Sequence, residues 1–70
     1  MMPLTMMKPG ESARVKRIGG KEEVKRFLEN LGFVLGEEVK VVSSNGGNII
    51  VQVKDSRVAV SQNIANKIMV

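Results

Sequence analysis

The sequence predicts a mainly β fold, a small five-stranded barrel with one α-helix after the first strand. Several short segments alternate apolar and polar residues and are separated by turns that contain glycine, as in half-buried strands. Only one segment, Val24 to Leu31, has the i, i+3, i+4, i+7 spacing of an amphipathic helix. Because a closed barrel removes the exposed edges of a flat sheet, we expect residues 1–70 to form one barrel domain.

The helix is the element around which the strands are arranged, and we expect it to run from about Lys21 to Leu31. Four apolar residues would form the stripe that faces the core: Val24, Phe27, Leu28 and Leu31. Gly32 follows directly and is predicted to end the helix in a left-handed conformation, which glycine adopts without a Cβ clash.

A turn and a strand precede the helix. In the turn Lys8-Pro9-Gly10-Glu11, proline presets its own φ and glycine can supply a positive φ. Apolar and polar residues alternate from Ser12 onward, which predicts the first strand, and Gly19-Gly20 ends it.

The first hairpin is predicted to have the three-residue loop Asn45-Gly46-Gly47. A two-residue turn at Asn45-Gly46 would place Lys40 on the core face of the second strand. The three-residue loop instead pairs Val41 with Val51, and its last position, which requires a left-handed residue, would be Gly47.

The C-terminal third is predicted to contain a second hairpin, a single helical turn and a last strand. A two-residue turn at Asp55-Ser56 would place Val53 opposite Val58, and Lys54 opposite Arg57. The polar residues of 62–66 predict the helical turn, and residues 67–70 form the last strand, with Ile68 and Val70 directed inward.

The composition argues against catalysis and against a resident metal. The chain has neither His nor Cys, so it lacks an ordinary general base near neutral pH, a thiol nucleophile and a thiolate metal ligand. Among the carboxylates only Glu22-Glu23 and Glu37-Glu38 are adjacent, and neighbouring side chains on a helix or strand diverge. The sequence therefore predicts no enzyme, no catalytic residue, and neither a cofactor site nor a metal site.

No segment has the composition of a membrane anchor or of a secretory signal. A run of about 18 apolar residues, which a membrane-spanning helix needs, does not occur. Residues 1–7 are interrupted by Pro3 and are too few for a secretory signal. We expect a soluble domain.

The net charge of +4 and the sequence pI near 9.9 raise nucleic acid as an alternative partner. The basic residues are spread from Lys8 to Lys67 without a dense cluster. The chain has no Trp or Tyr, and we expect Phe27 and Phe33 to lie in the core, which leaves no ring for stacking on bases. The alternative is therefore a weak, salt-sensitive nucleic-acid-binding barrel.

The segment from Arg26 to Gly36, RFLENLGFVLG, resembles the signature of the FeoA family, R-x-L-x-x-L-G-hydrophobic-x-P-G. Leu35 stands where proline is usual in that signature. The end of the chain, Val58-Ala59-Val60 followed by residues 65–70, is similar to the family's C-terminal pattern, and the likeness covers nearly the whole chain.

The resemblance implies an SH3-like barrel that serves ferrous iron transport as a small cytoplasmic accessory or regulatory protein. Its implied partner is the cytosolic part of the membrane transporter FeoB, and ferrous iron is implied only by association with the family. Related domains occur at the C-terminus of iron-dependent repressors, so a domain of that kind with another partner is a further alternative. Membrane insertion is not expected, and self-association is left open.

Loops and exposed helix residues on a rigid barrel are the usual sites of recognition, so we expect the partner contacts there. The candidates are Lys25, Arg26, Phe33, Val34, Leu35, Asn45, Gly46 and Gly47. For Leu35, core packing is the preferred interpretation and an exposed contact is the alternative.

Overall fold

A computed structural model describes all 70 residues as six short strands, one main helix and two single helical turns. The strands are β1 (Ser12–Arg14), β2 (Arg17–Ile18), β3 (Glu38–Asn45), β4 (Asn48–Val53), β5 (Ser56–Ser61) and β6 (Ile68–Met69). The helices are α1 (Glu22–Leu31) and α2 (Gln62–Ala65), and a 3₁₀ turn covers Leu4–Met6. One antiparallel sheet has the order β1-β3-β4-β5, and β2 pairs with β6 in a second sheet.

The predicted fold class, mainly β with one main helix, is confirmed, but the predicted first strand is divided into β1 and β2, which makes six strands instead of five. The Val15 N–H donates to the Glu37 carbonyl at 3.0 Å, beside β3, whereas the Lys16 N–H donates to the Met69 carbonyl at 2.8 Å, in β6. The chain thus exchanges one sheet for the other between consecutive residues. This corner connects the two sheets of the small barrel.

The first hairpin has the predicted pairing of Val41 with Val51, but the predicted loop is wrong. Asn45 lies opposite Asn48, so the turn has only two residues, Gly46-Gly47. The positive φ falls on Gly46, at 52°, and not on Gly47. A β-bulge at Val42 supplies the extra residue that the prediction had assigned to the loop.

The N-terminal turn contacts the strand beside this bulge. The Gly10 N–H donates to the Val41 carbonyl at 2.7 Å, and the Val41 N–H donates to the Glu11 carbonyl at 3.1 Å. Gly10 has φ 92°, and the Glu11 N–H donates to the Lys8 carbonyl at 3.0 Å, which confirms the predicted turn. Contacts distant in sequence therefore determine where the strand is irregular.

The turn of the second hairpin lies one residue earlier than predicted, which shifts the pairing of β4 with β5 by two residues. Val53 lies opposite Ser56, and the turn is Lys54-Asp55, with Lys54 at φ 55°. The predicted turn at Asp55-Ser56 is wrong, and Arg57 lies opposite Gln52 instead of Lys54. A shift of two residues preserves which side chains face the core, so alternation alone does not distinguish the two registers.

Helix α1 ends as predicted. Gly32 has φ 109°, and its N–H donates to the Glu29 carbonyl at 3.0 Å. The Phe33 N–H donates to the Leu28 carbonyl at 2.9 Å, which completes the capping arrangement and brings the Phe33 ring into the core, where it has no exposed surface.

Only part of the predicted apolar stripe of α1 is buried. Leu28 is fully buried, and Val24 and Leu31 are half-buried. Phe27 is 50% exposed, so its expected place in the core is wrong. Since Phe27 precedes Leu28 by one residue, it projects about 100° around the helix from the line of contact with the barrel.

The two ends of the chain are hydrogen-bonded to each other. Met2 and Val70 exchange both backbone bonds, at 2.9 and 2.8 Å, which places the N-terminal segment beside β6. Leu4 and Met7 of that segment are buried in the core. The predicted helical turn is confirmed as α2, with the Ser61 Oγ accepting a bond from the Ile64 N–H at 3.3 Å. Ile68 and Val70 are buried, as predicted.

Candidate partner-binding groove

An open groove of about 380 Å³ lies between α1, β2 and the loop that follows α1. It is lined by Lys16, Arg17, Ile18, Lys25, Glu29, Phe33, Val34 and Leu35. Strand β2 and the residue before it supply two cations, and one turn of α1 supplies Lys25 and Glu29. The loop closes the groove with apolar side chains.

The loop is held by hydrogen bonds at its far end. The Gly36 N–H donates to the Val15 carbonyl at 2.8 Å, and the Arg14 guanidinium donates to the Gly36 carbonyl at 2.9 Å. Within the loop, the Glu37 N–H donates to the Val34 carbonyl at 3.0 Å. These bonds fix the loop against the β1–β2 corner, so Leu35 is presented from a rigid frame.

Leu35 is 68% exposed, so core packing, the preferred interpretation of this residue, is wrong. The structure instead has the alternative arrangement, in which Leu35 is an exposed apolar side chain at the end of the loop. Because the loop is anchored at Gly36, Leu35 does not turn inward, and Phe33 occupies the adjacent core position in its place.

The groove combines an apolar wall with an excess of positive charge. Lys16, Arg17 and Lys25 are the cations of the groove, and Glu29 is its one carboxylate. Lys16 and Arg17 are exposed, and Lys25 is half-buried. A surface with this composition suits a ligand that carries an apolar group next to negative charges.

The structure brings some of the predicted contact residues together and separates others. Lys25, Val34 and Leu35 line the same groove. Phe33 also borders it, but its side chain has no exposed surface. Capping at Gly32 is the physical reason, because it directs the Phe33 ring into the core.

The remaining predicted contacts lie outside the groove. Arg26 is exposed on another face of α1. The hairpin tip Asn45-Gly46-Gly47 contacts α2, where the Gln62 N–H donates to the Gly47 carbonyl at 2.8 Å. As contact residues, these four stay predictions.

Four residues of the groove were not predicted as contacts: Lys16, Arg17, Ile18 and Glu29. The sequence feature that could have identified Lys16, Arg17 and Ile18 is the pair of adjacent cations directly before an apolar residue and two glycines. Glu29 follows Lys25 by one helical turn, so it shares the same face of α1.

The acidic residues do not converge on a metal site. No group of three or more His, Cys, Asp or Glu side chains is placed to hold a metal ion. Carboxylates bind divalent cations when several share one site, and Glu29 is the only one in the groove. In addition, no helix has the length and apolar character needed to cross a membrane.

The family model described as FeoA domain matches residues 2–70 of this chain. An Fe(2+) transport protein A from Methanocaldococcus jannaschii is 34% identical over 70 residues, which are all of this chain and 85% of that protein. The FeoA of Stenotrophomonas maltophilia, an SH3-domain protein solved in complex with zinc, superposes with a TM-score of 0.86 at 31% identity, over 99% of this chain and 88% of that one.

A manganese-dependent transcriptional repressor also shares this fold. It superposes with a TM-score of 0.87 at 22% identity, over 94% of this chain and 38% of its own chain. At this identity the likeness concerns the fold alone. The barrel is SH3-like, as in the FeoA of Stenotrophomonas maltophilia, and the same fold occurs as one part of the repressor chain.

Proposed function

Because this chain belongs to the FeoA family, we propose that it is a non-catalytic accessory domain of ferrous iron transport that binds the cytosolic part of a FeoB transporter. Binding is its whole mechanism. The domain would act at the cytoplasmic face of the membrane, where that part of the transporter lies. The observation that carries the proposal is the exposed Leu35 in a groove formed by the family signature segment.

The signature segment supports this proposal by building the groove. Leu28 holds α1 on the core, and Gly32 reverses the chain after it. Gly36 then attaches the loop to Val15, which leaves Leu35 68% exposed. A large apolar side chain held in the solvent by a rigid loop is well suited to contact a partner protein.

The available side chains support binding rather than chemistry. The chain has no His and no Cys, and the groove has a single carboxylate, Glu29. General acid-base or nucleophilic catalysis needs positioned groups of those kinds. Ferrous iron would be the cargo of the transporter and not a ligand of this domain.

The test is an NMR titration of the ¹⁵N-labelled domain with the purified cytosolic part of FeoB from the same source. A parallel titration uses ferrous ion alone under anaerobic conditions. We expect amide shifts around the groove with the protein partner and none with the ion. Shifts with iron alone would replace the proposal with a metal-binding role, and no shifts in either titration would reject it.

A matched pair of variants tests the role of Leu35 in this binding. Leu35→Asn should weaken the affinity for the transporter part about tenfold or more, because burial of a leucine side chain contributes about 1.5–3 kcal/mol. Met6→Asn is the control, since Met6 is 67% exposed and lies outside the groove. Equal affinities of the two variants, measured by calorimetry, would exclude Leu35 from the interface.

Nucleic acid remains the alternative that the same protein sample can test. The half-exposed ring of Phe27 lies outside the groove, so the basic residues of the groove have no neighbouring ring on which a base could stack. We expect no binding of single strands at physiological salt. Tight binding with a steep salt dependence would favour the alternative.

A further inference from the structure

The β2 wall of the groove contains an unpaired strand edge. The Gly19 N–H donates to the carbonyl of Lys67, the residue before β6, at 2.7 Å, in the same register that places Ile18 opposite Ile68. In antiparallel pairing, successive residues direct their peptide groups to opposite edges. The N–H and C=O of Ile18, the residue before Gly19, are therefore directed away from β6.

Three residues earlier, at Val15, the same edge is already occupied. Val15 uses it to accept a bond from the Gly36 N–H at 2.8 Å and to donate to the Glu37 carbonyl at 3.0 Å. Before Gly36 the loop leaves the edge, because Val34 is bonded to Glu37 in a tight turn. The position beside Ile18 is thus left to the groove, which both Ile18 and Leu35 line.

The side chains around this edge determine which peptide would fit. Three cations and one carboxylate give the groove an excess of two positive charges, and Val34 and Leu35 form an apolar wall. An extended segment directs alternate side chains to opposite sides, so it can bury one apolar residue and keep its flanking residues near the cations.

We propose that the groove binds an extended acidic peptide segment by strand addition at Ile18. The segment places one apolar side chain against Leu35, and its carboxylates lie beside Lys16, Arg17 and Lys25. That this segment belongs to the cytosolic part of the transporter rests on the proposed function, whereas the mode of binding rests on the groove alone. Strand addition would pair a short strand edge that the two sheets leave open beside the groove.

A nucleic acid fits this groove less well than an acidic peptide. Phe33 is the only aromatic residue of the lining, and its ring has no exposed surface on which a base could stack. The apolar groups that the groove does expose are aliphatic. A peptide side chain is therefore the better match.

Charge reversal tests the electrostatic part of the proposal. The double variant K16E/R17E should bind the cytosolic part of FeoB about tenfold more weakly or worse, because it places like charges together. The double variant K40E/R57E is the matched control, since both residues are exposed on the four-stranded sheet outside the groove and the net charge changes equally. Equal weakening of both variants would overturn the proposal.

A second experiment does not depend on FeoB. A displayed library of random nine-residue peptides is selected against the wild-type domain and counter-selected against K16E/R17E. We expect enriched sequences with one large apolar residue between Asp or Glu residues. Enrichment of basic or proline-rich sequences, or no enrichment over counter-selection, would overturn the proposal.

Backbone substitution tests strand addition itself. Each residue of one selected peptide is N-methylated in turn, which removes a single backbone donor. We expect binding to be lost at the one position whose N–H donates to the Ile18 carbonyl, together with a downfield shift of the Ile18 amide proton on binding of the unmodified peptide. Uniform tolerance of N-methylation would exclude strand addition.

The two proposals fail in different ways. If FeoB binds but K16E/R17E has the affinity of the control variant, the groove is excluded while the accessory role stands. If FeoB does not bind but acidic peptides are selected, the groove has another acidic partner and the proposed function fails.

Discussion

Gly32 is the residue on which both the end of α1 and the shape of the groove depend. Its φ is 109°, and a Cβ added there would lie 3.2 Å from Val53 Cγ2. We expect Gly32→Ala to lower the free energy of unfolding by about 2 kcal/mol or more, because the unfavourable backbone conformation adds to a close contact with the core. Urea denaturation measures this loss.

Gly36→Ala is the control for the backbone contribution. Gly36 also has a positive φ, 87°, but no atom lies within 4 Å of an added Cβ. Its substitution should cost about 1 kcal/mol from strain alone. If the two variants lose equal stability, the contact with Val53 has no energetic role.

Helix α1 is anchored by a narrow line of contact and not by its whole apolar stripe. Leu28 is fully buried whereas Phe27 is 50% exposed. We expect Leu28→Ala to lower the free energy of unfolding by about 2–5 kcal/mol, as for other buried leucines. Phe27→Ala should cost about 1 kcal/mol, because half of the ring is already in water.

Thermal or urea unfolding of the two variants decides whether the Phe27 ring lies at the surface, as in the structure, or in the core, as the helical spacing predicts. A loss for Phe27→Ala as large as that for Leu28→Ala would mean that the ring is buried as the helical spacing predicted. A small loss leaves Phe27 as a surface residue outside the groove.

At the scale of the whole molecule, the N-terminal segment completes the barrel. Met2 and Val70 exchange two backbone hydrogen bonds, and Leu4 has no exposed surface. We expect Leu4→Ala to lower the free energy of unfolding by about 2–5 kcal/mol. In a domain of 70 residues, this is a large part of the total stability.

Met6→Ala is the matched control in the same segment. Met6 is 67% exposed, so its truncation should leave stability within about 0.5 kcal/mol of the wild type. Equal, small losses for both variants in chemical denaturation would show that the segment is not part of the cooperative unit.

Local chemistry was sufficient to predict most elements of this protein, but not the division of the first strand into β1 and β2. The 3.6-residue spacing located α1, Gly32 ended it, and Pro9-Gly10 formed the expected turn. Alternation also identified the strand residues that face the core, because it depends only on neighbours along the chain. The family signature was likewise readable, since it consists of consecutive residues.

The tertiary structure alone decided the turns of both hairpins, the exposure of Phe27 and Leu35, and the membership of the groove. The bulge at Val42 forms where Gly10 and Glu11, which are distant in sequence, bond to Val41. Lys16 and Arg17 meet Lys25 and Leu35 only because the chain exchanges sheets at Val15 and α1 then returns across the corner. Such contacts join residues distant in sequence, and neither spacing nor composition contains them.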